Sequence, residues 1–88
     1  MQFVFSGNLR RFVGFQKRVS IEASSVEEGI QRLVQQYPDI RPVILDSEDR
    51  VRTVHRLFLN DEMLPHDNLA QPTQADDEVL VVTAIAGG

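Results

Sequence analysis

The sequence contains no cysteine among its 88 residues. This absence excludes disulfide bonds, thiolate nucleophiles, iron–sulfur clusters and cysteine-ligated zinc sites. Long apolar runs are missing too, since none approaches the roughly 20 residues needed to span a bilayer. The N-terminus also lacks a basic segment followed by an apolar stretch, which is the pattern of a secretory signal. The sequence therefore predicts a small cytoplasmic protein with no membrane segment.

Positive charge is scarce, because 9 Lys and Arg residues stand against 13 Asp and Glu residues, a net charge of -4. Nucleic-acid binding depends on cations that neutralise phosphates, so nucleic acid is not the expected partner. The charge is uneven, with six cations in residues 1–44 and nine anions in residues 45–88. Two interpretations remain open: a solvated acidic surface around the later loops, or an acidic edge that steers the protein toward a basic partner.

Enzyme motifs are absent as well. The sequence has no GxSxG, P-loop, GxGxxG or HExxH pattern. His55 and His66 have no accompanying cysteine, so we expect surface or hydrogen-bonded histidines and no metal site. The carboxylates of residues 61–62 and 76–78 fall in predicted turns and lack a partner nucleophile. We therefore expect a protein that is not itself an enzyme.

The first half of the chain changes from strand to helix periodicity. Residues 1–6 alternate in the manner of a strand, and residues 15–22 alternate again, with Phe15, Val19 and Ile21 on one face. A helical stripe follows, made of Val26, Ile30, Leu33, Val34 and Tyr37. Ser25 with Glu28 fits a capping box at its start, as does Ser24 with Glu27, and Pro38 marks its end. Gly29 interrupts the stripe as a tolerated glycine or as a point of close packing.

The second half returns to strands. Residues 39–53 are compatible with a short helical turn or a short strand, and residues 46–50 with an exposed turn. Residues 54–60 form a predicted strand with Leu57 and Leu59 opposite Phe58, followed by a turn at 60–62, a long loop and a last strand from Glu78. This order predicts an α+β fold of the β-grasp type, a mixed sheet of four to five strands packed on one main helix. We expect a β-grasp domain at 1–84 and a flexible tail at 85–88.

The ending "AIAGG" is the remaining candidate for chemistry. Ile85, Ala86, Gly87 and Gly88 extend past the last predicted strand. Glycine has no Cβ, so two glycines can pass through a narrow channel into another protein. A terminal carboxylate with a pKa of about 3.5 is ionised at neutral pH and is a poor acyl donor. The tail is therefore predicted to be a reactive end that a partner enzyme must activate.

Several segments together resemble a known family. These are the strand–strand–helix opening, "LNDE" at 59–62, "ADDEVLVV" at 75–82 and the terminal "AGG". They are similar to the ubiquitin-like sulfur carriers of the ThiS and MoaD type, and most of all to the CysO-type carriers of cysteine biosynthesis. The resemblance implies that a ThiF/MoeB-type enzyme adenylates Gly88 with Mg-ATP and that the product becomes a thiocarboxylate. Gly87 and Ala86 would thread through the partner's active site, and the carrier itself would bind no cofactor.

The resemblance also implies partners. A sulfur-acceptor enzyme, cysteine synthase-like or other, would take the sulfur, and a metalloprotease could process the C-terminus. The carrier alone is expected to be a monomer. The alternation of residues along the predicted strands indicates an open sheet face to which these partners could bind. This face is formed by Val4, Phe58, Leu80 and Val82 and continued by Ile85. From sequence alone Phe58 could equally belong to the core.

Other functions stay open at this point. The chain could be the small subunit of a molybdopterin synthase, although Thr83, Ala84 and Ile85 stand where that type usually has prolines. It could be a covalent modifier joined through Gly88 to lysines, with Lys17 its own single lysine. It could also be a non-covalent binding module whose tail is incidental.

Overall fold

A computed structural model describes residues 1–83 of the chain. Five strands form one sheet in the order β2-β1-β5-β3-β4. The strands are β1 (Gln2–Phe5), β2 (Arg18–Ser20), β3 (His55–Leu59), β4 (Glu62–Leu64) and β5 (Glu78–Thr83). Strand β1 runs parallel to β5, and the other neighbouring strands are antiparallel. The predicted mixed sheet of the β-grasp fold is confirmed.

The helical elements cover one face of this sheet. The main helix is α1 (Val26–Gln36), and a single turn, α2 (Arg41–Ile44), follows it. Two 3-10 helices span Gly7–Val13 and Pro38–Ile40. Parallel β1 and β5 require a crossover connection, and the helical region supplies part of it. Within residues 1–83, no helix has the length and apolarity to cross a membrane.

The core forms because every second strand residue faces the helices. Phe3 and Phe5 of β1 are fully buried, with ring centroids 6.1 Å apart and stacked at 13°. They sit beside the buried residues Val79 and Val81 of β5 in direct register. The stripe predicted for α1 packs against this layer, and Val26, Ile30, Leu33 and Val34 are all buried.

The start of α1 is capped by Ser25 and Glu28, as the first predicted pattern has it, whereas Ser24 bonds to Glu28 and not to Glu27 as the second predicted. The Ser25 hydroxyl accepts a hydrogen bond from the Glu28 backbone N–H at 3.1 Å. The Glu28 carboxylate in turn accepts from the backbone N–H of Ser24 at 2.8 Å. This backbone hydrogen bond is the main reason why the pKa of Glu28 lies below its usual value. The capping box thus satisfies donors that a helix start otherwise leaves unpaired.

Gly29 is a point of close packing in α1. A Cβ built at this buried position would lie 2.1 Å from the Cε of Met1 and 3.3 Å from the ring of Phe3. The helix therefore packs closely on the side chains of the first strand and of Met1, and a side chain at Gly29 would require Met1 to shift. Of the two interpretations of this glycine, close packing is the one that the structure supports.

The second strand is shorter than predicted. It begins at Arg18, and Phe15, expected on the apolar face beside Val19 and Ile21, is 77% exposed. The reason is the 3-10 helix before it, which ends with two left-handed residues, Gly14 (φ 67°) and Phe15 (φ 61°). Alternation through residue 15 predicts an extended backbone that these dihedral angles exclude.

Residues 39–53 resolve into a helical turn and a short bridge. After α2, Leu45 pairs with Val51 as an isolated antiparallel bridge. The exposed turn predicted at 46–50 lies between them, and the Asp46 carboxylate accepts from the backbone N–H groups of Glu48 and Arg50. These backbone hydrogen bonds, that of Arg50 first, hold the pKa of Asp46 below its usual value.

Strand β4 lies in a stretch where the sequence predicts only loop. A two-residue turn joins it to β3, and both turn residues are left-handed, Asn60 with φ 49° and Asp61 with φ 72°. Paired left-handed residues match the right-handed twist of the flanking strands, and Asn and Asp tolerate this conformation. The turn at 60–62 is therefore confirmed, and it leads into a fifth strand.

The same turn is tied to the start of β5. The Asn60 amide donates to the Asp77 carboxylate at 3.0 Å, and the Asn60 side-chain oxygen accepts from the Glu78 backbone N–H at 3.0 Å. The backbone N–H of Gln74 also donates to Asp77, at 2.8 Å. The Asn60 hydrogen bond first, and then that of Gln74, keep the pKa of Asp77 below its usual value.

We expect replacement of Asp77 by Asn to destabilise the fold at pH 7 and to have little effect near pH 2. The folded-state pKa of Asp77 is depressed, so its ionised form stabilises the fold above the unfolded value of about 3.9. That stabilisation is lost as the pH falls through the folded-state pKa. Urea unfolding of both proteins between pH 7 and pH 2 measures the difference.

The matched control is Asp76→Asn, which makes the same change of charge one residue earlier. Its carboxylate accepts no hydrogen bond from the residues of 1–83. A stability difference between Asp77→Asn and the original protein that stays constant with pH would contradict the role of the ionised carboxylate.

Candidate functional site

Strand β5 leads the chain toward the predicted reactive tail. It occupies the middle of the sheet and is hydrogen-bonded to β1 on one side and to β3 on the other. Its last residue, Thr83, is also the last one described, so the predicted site residues Ile85, Ala86, Gly87 and Gly88 lie outside the described residues. A strand fixed on both edges provides a rigid base at Thr83.

A buried histidine anchors the end of this strand. His55, which is only 2% exposed, places Nε2 at 2.7 Å from the Val43 carbonyl oxygen and Nδ1 at 3.1 Å from the Thr83 hydroxyl. A carbonyl only accepts, so Nε2 carries the proton and Nδ1 accepts from the hydroxyl when the ring holds that single proton. This confirms the interpretation of His55 as a hydrogen-bonded histidine and joins β5 to the end of α2.

The sequence did not indicate Thr83 or Val43 as partners of His55. They are 28 and 12 residues away along the chain. Only the pairing of β3 with β5 brings His55 opposite Thr83. The sequence shows only that His55 lies in a predicted strand, and this does not identify Thr83 or Val43 as its hydrogen-bond partners.

The face of the sheet away from the helices carries an apolar row. Val4, Leu80, Phe58 and Met63 are direct register neighbours across β1, β5, β3 and β4. Val4, Leu80 and Phe58 are half-buried, and Met63 is 58% exposed. Val82 lies two residues beyond Leu80 on the same face of β5, next to Arg56 of β3. The structure thus brings together the four predicted residues that it describes and places Phe58 outside the core.

Met63 is the member of this row that sequence reasoning missed. Its strand has only three residues, Glu62–Leu64, which is too short for alternation to be visible. At the other end of the row, Arg18 is the register neighbour of Val4 and forms an ion pair with Glu78 at 2.8 Å. The apolar row is therefore bordered by charged residues.

The remaining titratable residues show no arrangement for catalysis. Within residues 1–83, no group of three or more His, Cys, Asp or Glu side chains could hold a metal ion. Two of the predicted cluster carboxylates have structural roles, since Asp77 accepts hydrogen bonds in the turn before β5 and Glu78 pairs with Arg18. His66 lines a shallow groove of about 840 Å³ between α1 and the loops at 45–53 and 66–70, away from the open face.

Comparison with known proteins agrees with this geometry. The model of the ThiS family matches residues 3–88. No curated protein matches the chain significantly. Several solved structures match over nearly the whole chain, and each is 24% identical to it or less, so these likenesses concern the fold.

Three of these solved structures are close in shape. A chain of the Amycolatopsis orientalis BexX/CysO complex is 23% identical with a TM-score of 0.84, covering 99% of this chain and 98% of that one. Mycobacterium tuberculosis CysO, described as an antigen, is 24% identical with a TM-score of 0.82, covering 96% and 98%. Small archaeal modifier protein 1 from Methanosarcina acetivorans is 19% identical with a TM-score of 0.85, covering 99% and 94%.

We expect Phe58→Ala to leave a cooperative fold, with a loss of about 1 kcal/mol in the free energy of unfolding. That loss reflects its cross-strand contacts with Leu80 and Met63. The neighbouring variant Leu57→Ala empties a core position that is 1% exposed and should cost about 2–5 kcal/mol. Denaturant unfolding compares the two. Equal losses would assign Phe58 to the core.

We expect Thr83→Val to destabilise the fold by about 1–3 kcal/mol, because His55 Nδ1 would lose its partner in a buried site. Thr83→Ser retains the hydroxyl and serves as the control. The ¹⁵N shifts of the His55 ring should change in the valine variant and stay the same in the serine variant. Unchanged ring shifts in both variants would show that the Thr83 hydroxyl does not anchor the strand.

Proposed function

The chain belongs to the ThiS family, and from this premise we propose that it is a sulfur carrier protein whose reactive group is the carboxylate of Gly88. The observation that carries the proposal is the central position of β5, which brings Thr83, the last described residue before the proposed reactive group, to the middle of the sheet. The family model extends through residue 88, the position of the proposed reactive group. The carrier is a protein co-substrate of its partner enzymes and not a catalyst.

The proposed chemistry has two steps. The ionised carboxylate of Gly88 attacks the α-phosphate of Mg-ATP within a ThiF/MoeB-type enzyme, and pyrophosphate leaves. A sulfide equivalent then attacks the acyl carbon and displaces AMP, which leaves a thiocarboxylate. Since the chain has no cysteine, the transferred sulfur resides on this acyl carbon. The resulting thiocarboxylate donates its sulfur to an acceptor bound by a second enzyme.

The open face of the sheet is the proposed recognition surface. The row of Val4, Leu80, Phe58 and Met63 is apolar and spans four strands without a charged residue between them. Val82 extends it toward the tail, and we propose that Ile85 continues the contact. Aromatic residues in the centre of such patches provide much of the binding energy, which makes Phe58 the proposed anchor.

The two glycines explain how the carboxylate reaches the nucleotide. Gly87 and Gly88 carry no Cβ, and Ala86 only a methyl group, so these residues can enter a channel that larger side chains would block. Ordering them costs conformational entropy, which contacts of the open face must offset. Recognition on the sheet and reaction at the tail are therefore separate tasks.

The favoured acceptor lies in the biosynthesis of cysteine or a related sulfur metabolite. The support is the family match together with the "LNDE" and "TAIAGG" segments, which resemble CysO-type carriers. Molybdopterin synthesis and covalent modification of proteins use the same activation step and differ only in the acceptor. A C-terminal processing protease and an acceptor enzyme complete the proposed set of partners.

We expect incubation with Mg-ATP, a ThiF/MoeB-type enzyme and a sulfide source to replace one terminal oxygen by sulfur. Intact mass spectrometry detects this change directly. A chain that lacks Gly87 and Gly88 is the control and should remain unmodified. Phe58→Ala should slow the conversion relative to the original protein, because it weakens docking.

The outcomes of this experiment separate the candidate functions. The absence of a mass change in the original protein would contradict the proposal that it is a sulfur carrier. Isopeptide-linked species of high mass in cells would favour the covalent modifier. Unchanged function in cells after deletion of both glycines would exclude every covalent role of the tail.

A further inference from the structure

We propose that the edge of the sheet from which the tail leaves is a basic docking rim, which fits a partner protein with an acidic surface around the channel that receives the tail. This inference rests on the proposed function and concerns how the partner is found. The tail edge is defined here as the edge where β1 and β5 end and β3 begins. It is distinct from the apolar row on the open face.

Two segments meet at the tail edge on either side of β5. The connection from β1 to β2, residues 6–18, follows the end of one neighbour of β5, and residues 51–56 lead into the other. Together they contain six of the nine Lys and Arg residues of the chain and none of its 13 Asp and Glu residues. The strand order therefore places the exit of the tail between two stretches whose charged side chains are all positive.

Five of these six cations keep their charge available. Arg18 is neutralised by Glu78, whereas Arg10, Arg11, Lys17, Arg52 and Arg56 form no ion pair with any residue in 1–83. We call these five residues the basic rim. Cations at one edge of a protein repel one another, which is a cost to the isolated fold.

Neutral contacts orient several side chains of the basic rim. Arg10 Nε donates to the Phe5 carbonyl at 2.9 Å, and Arg52 Nε donates to the Pro42 carbonyl at 3.1 Å. The Arg11 guanidinium lies 5.4 Å from the ring centroid of Phe12. These contacts position the guanidinium groups without an ion pair, and only the charge of Arg52 is partly offset, by the nearby Asp46 carboxylate. Guanidinium groups held in this way can bind carboxylates of a partner.

An exposed aromatic residue accompanies the rim. Phe15 is 77% exposed and holds the left-handed conformation, with its backbone N–H donating to the Arg10 carbonyl at 2.8 Å. A bulky residue with positive φ is a strained arrangement that surrounding contacts must maintain. Phe15 supplies apolar contact area next to the cations, as expected of a protein-binding surface.

Five acidic residues lie at the opposite end of the sheet, whereas Asp46, Glu48 and Asp49 belong to the turn that precedes residues 51–56. Asp61, Glu62, Asp76, Asp77 and Glu78 lie around the β3–β4 turn and the start of β5. The length of β5, roughly 17 Å for its six residues, separates them from the tail edge. For these five residues, of the two interpretations of the acidic half, this placement favours a solvated surface remote from the tail.

The reach of the tail limits what the rim can contact. Five residues extend at most about 17–18 Å, so the rim lies at the mouth of the partner's channel while Gly88 is at the nucleotide. The rim therefore acts on the encounter. Opposite charges around a binding site raise association rate constants by about 10- to 1000-fold, and salt removes this gain.

The first test is the association rate with the adenylating enzyme from the same organism, measured by stopped flow at several ionic strengths. The variant Arg11→Glu with Arg56→Glu reverses two rim charges. The control, Arg32→Glu with Arg50→Glu, makes the same change of net charge at two ion-paired arginines that are not members of the basic rim. At low salt we expect the rim variant to associate at least about tenfold more slowly, a difference that disappears near 1 M salt. Equal association rates for the two double variants at low salt would contradict the proposal that the basic rim guides the partner.

The second test needs no partner enzyme and separates this inference from the proposed function. A hexaglutamate peptide is titrated into the ¹⁵N-labelled original protein at low salt, and backbone amide shifts are recorded. Shifts confined to residues 8–18 and 51–56 support the rim, and absent or scattered shifts overturn it. Formation of the thiocarboxylate by the original protein, followed by mass spectrometry, tests the proposed function independently.

Discussion

The parallel pairing of β1 with β5 is the constraint on which the rest of the structure depends. It places Phe3 beside Val79 and Phe5 beside Val81, and so joins the first and last strands of the fold in its core. Parallel strands cannot be joined by a tight turn, so the intervening chain must cross over one face of the sheet. That crossover includes α1, whose Gly29 permits close approach to the first strand. The pairing also makes β5 the middle strand.

The middle position of β5 connects the core, the open face of the sheet and the proposed reactive tail. The residues of β5 that face the helices stabilise the core, and those on the other face join the apolar row of Val4, Leu80 and Phe58. The same strand then leads to the tail, with Thr83 held by His55. Because β1 ends and β3 begins at this edge, their flanking segments bring positive charge to both sides of the exit. In the proposed function, the reactive end can thus remain slender, while the body of the domain provides affinity and orientation.

Periodicity predicted much of this arrangement but left the choice of faces undecided. In β3, Leu57 and Leu59 alternate with Phe58, and both sets are apolar, so the pattern shows two faces without showing which one meets the helix. The pairing of Leu57 with buried Val81 decides it. Met63 escaped detection because three residues do not establish a period. Phe15 was misplaced because its left-handed backbone results from the preceding 3-10 helix, which hydrophobic alternation does not register.

The sequence by itself determined the type of fold, the helix cap at Ser25, the turn at Asn60 and Asp61, and the tail as the candidate for chemistry. These features depend on local preferences: alternation, side-chain hydrogen bonds to nearby backbone, and the conformations that each residue tolerates. Tertiary structure alone decided which face of the sheet is open, which residue anchors Thr83, and where the cations gather. These depend on strand pairings between residues far apart in the chain, and no local preference specifies such pairings.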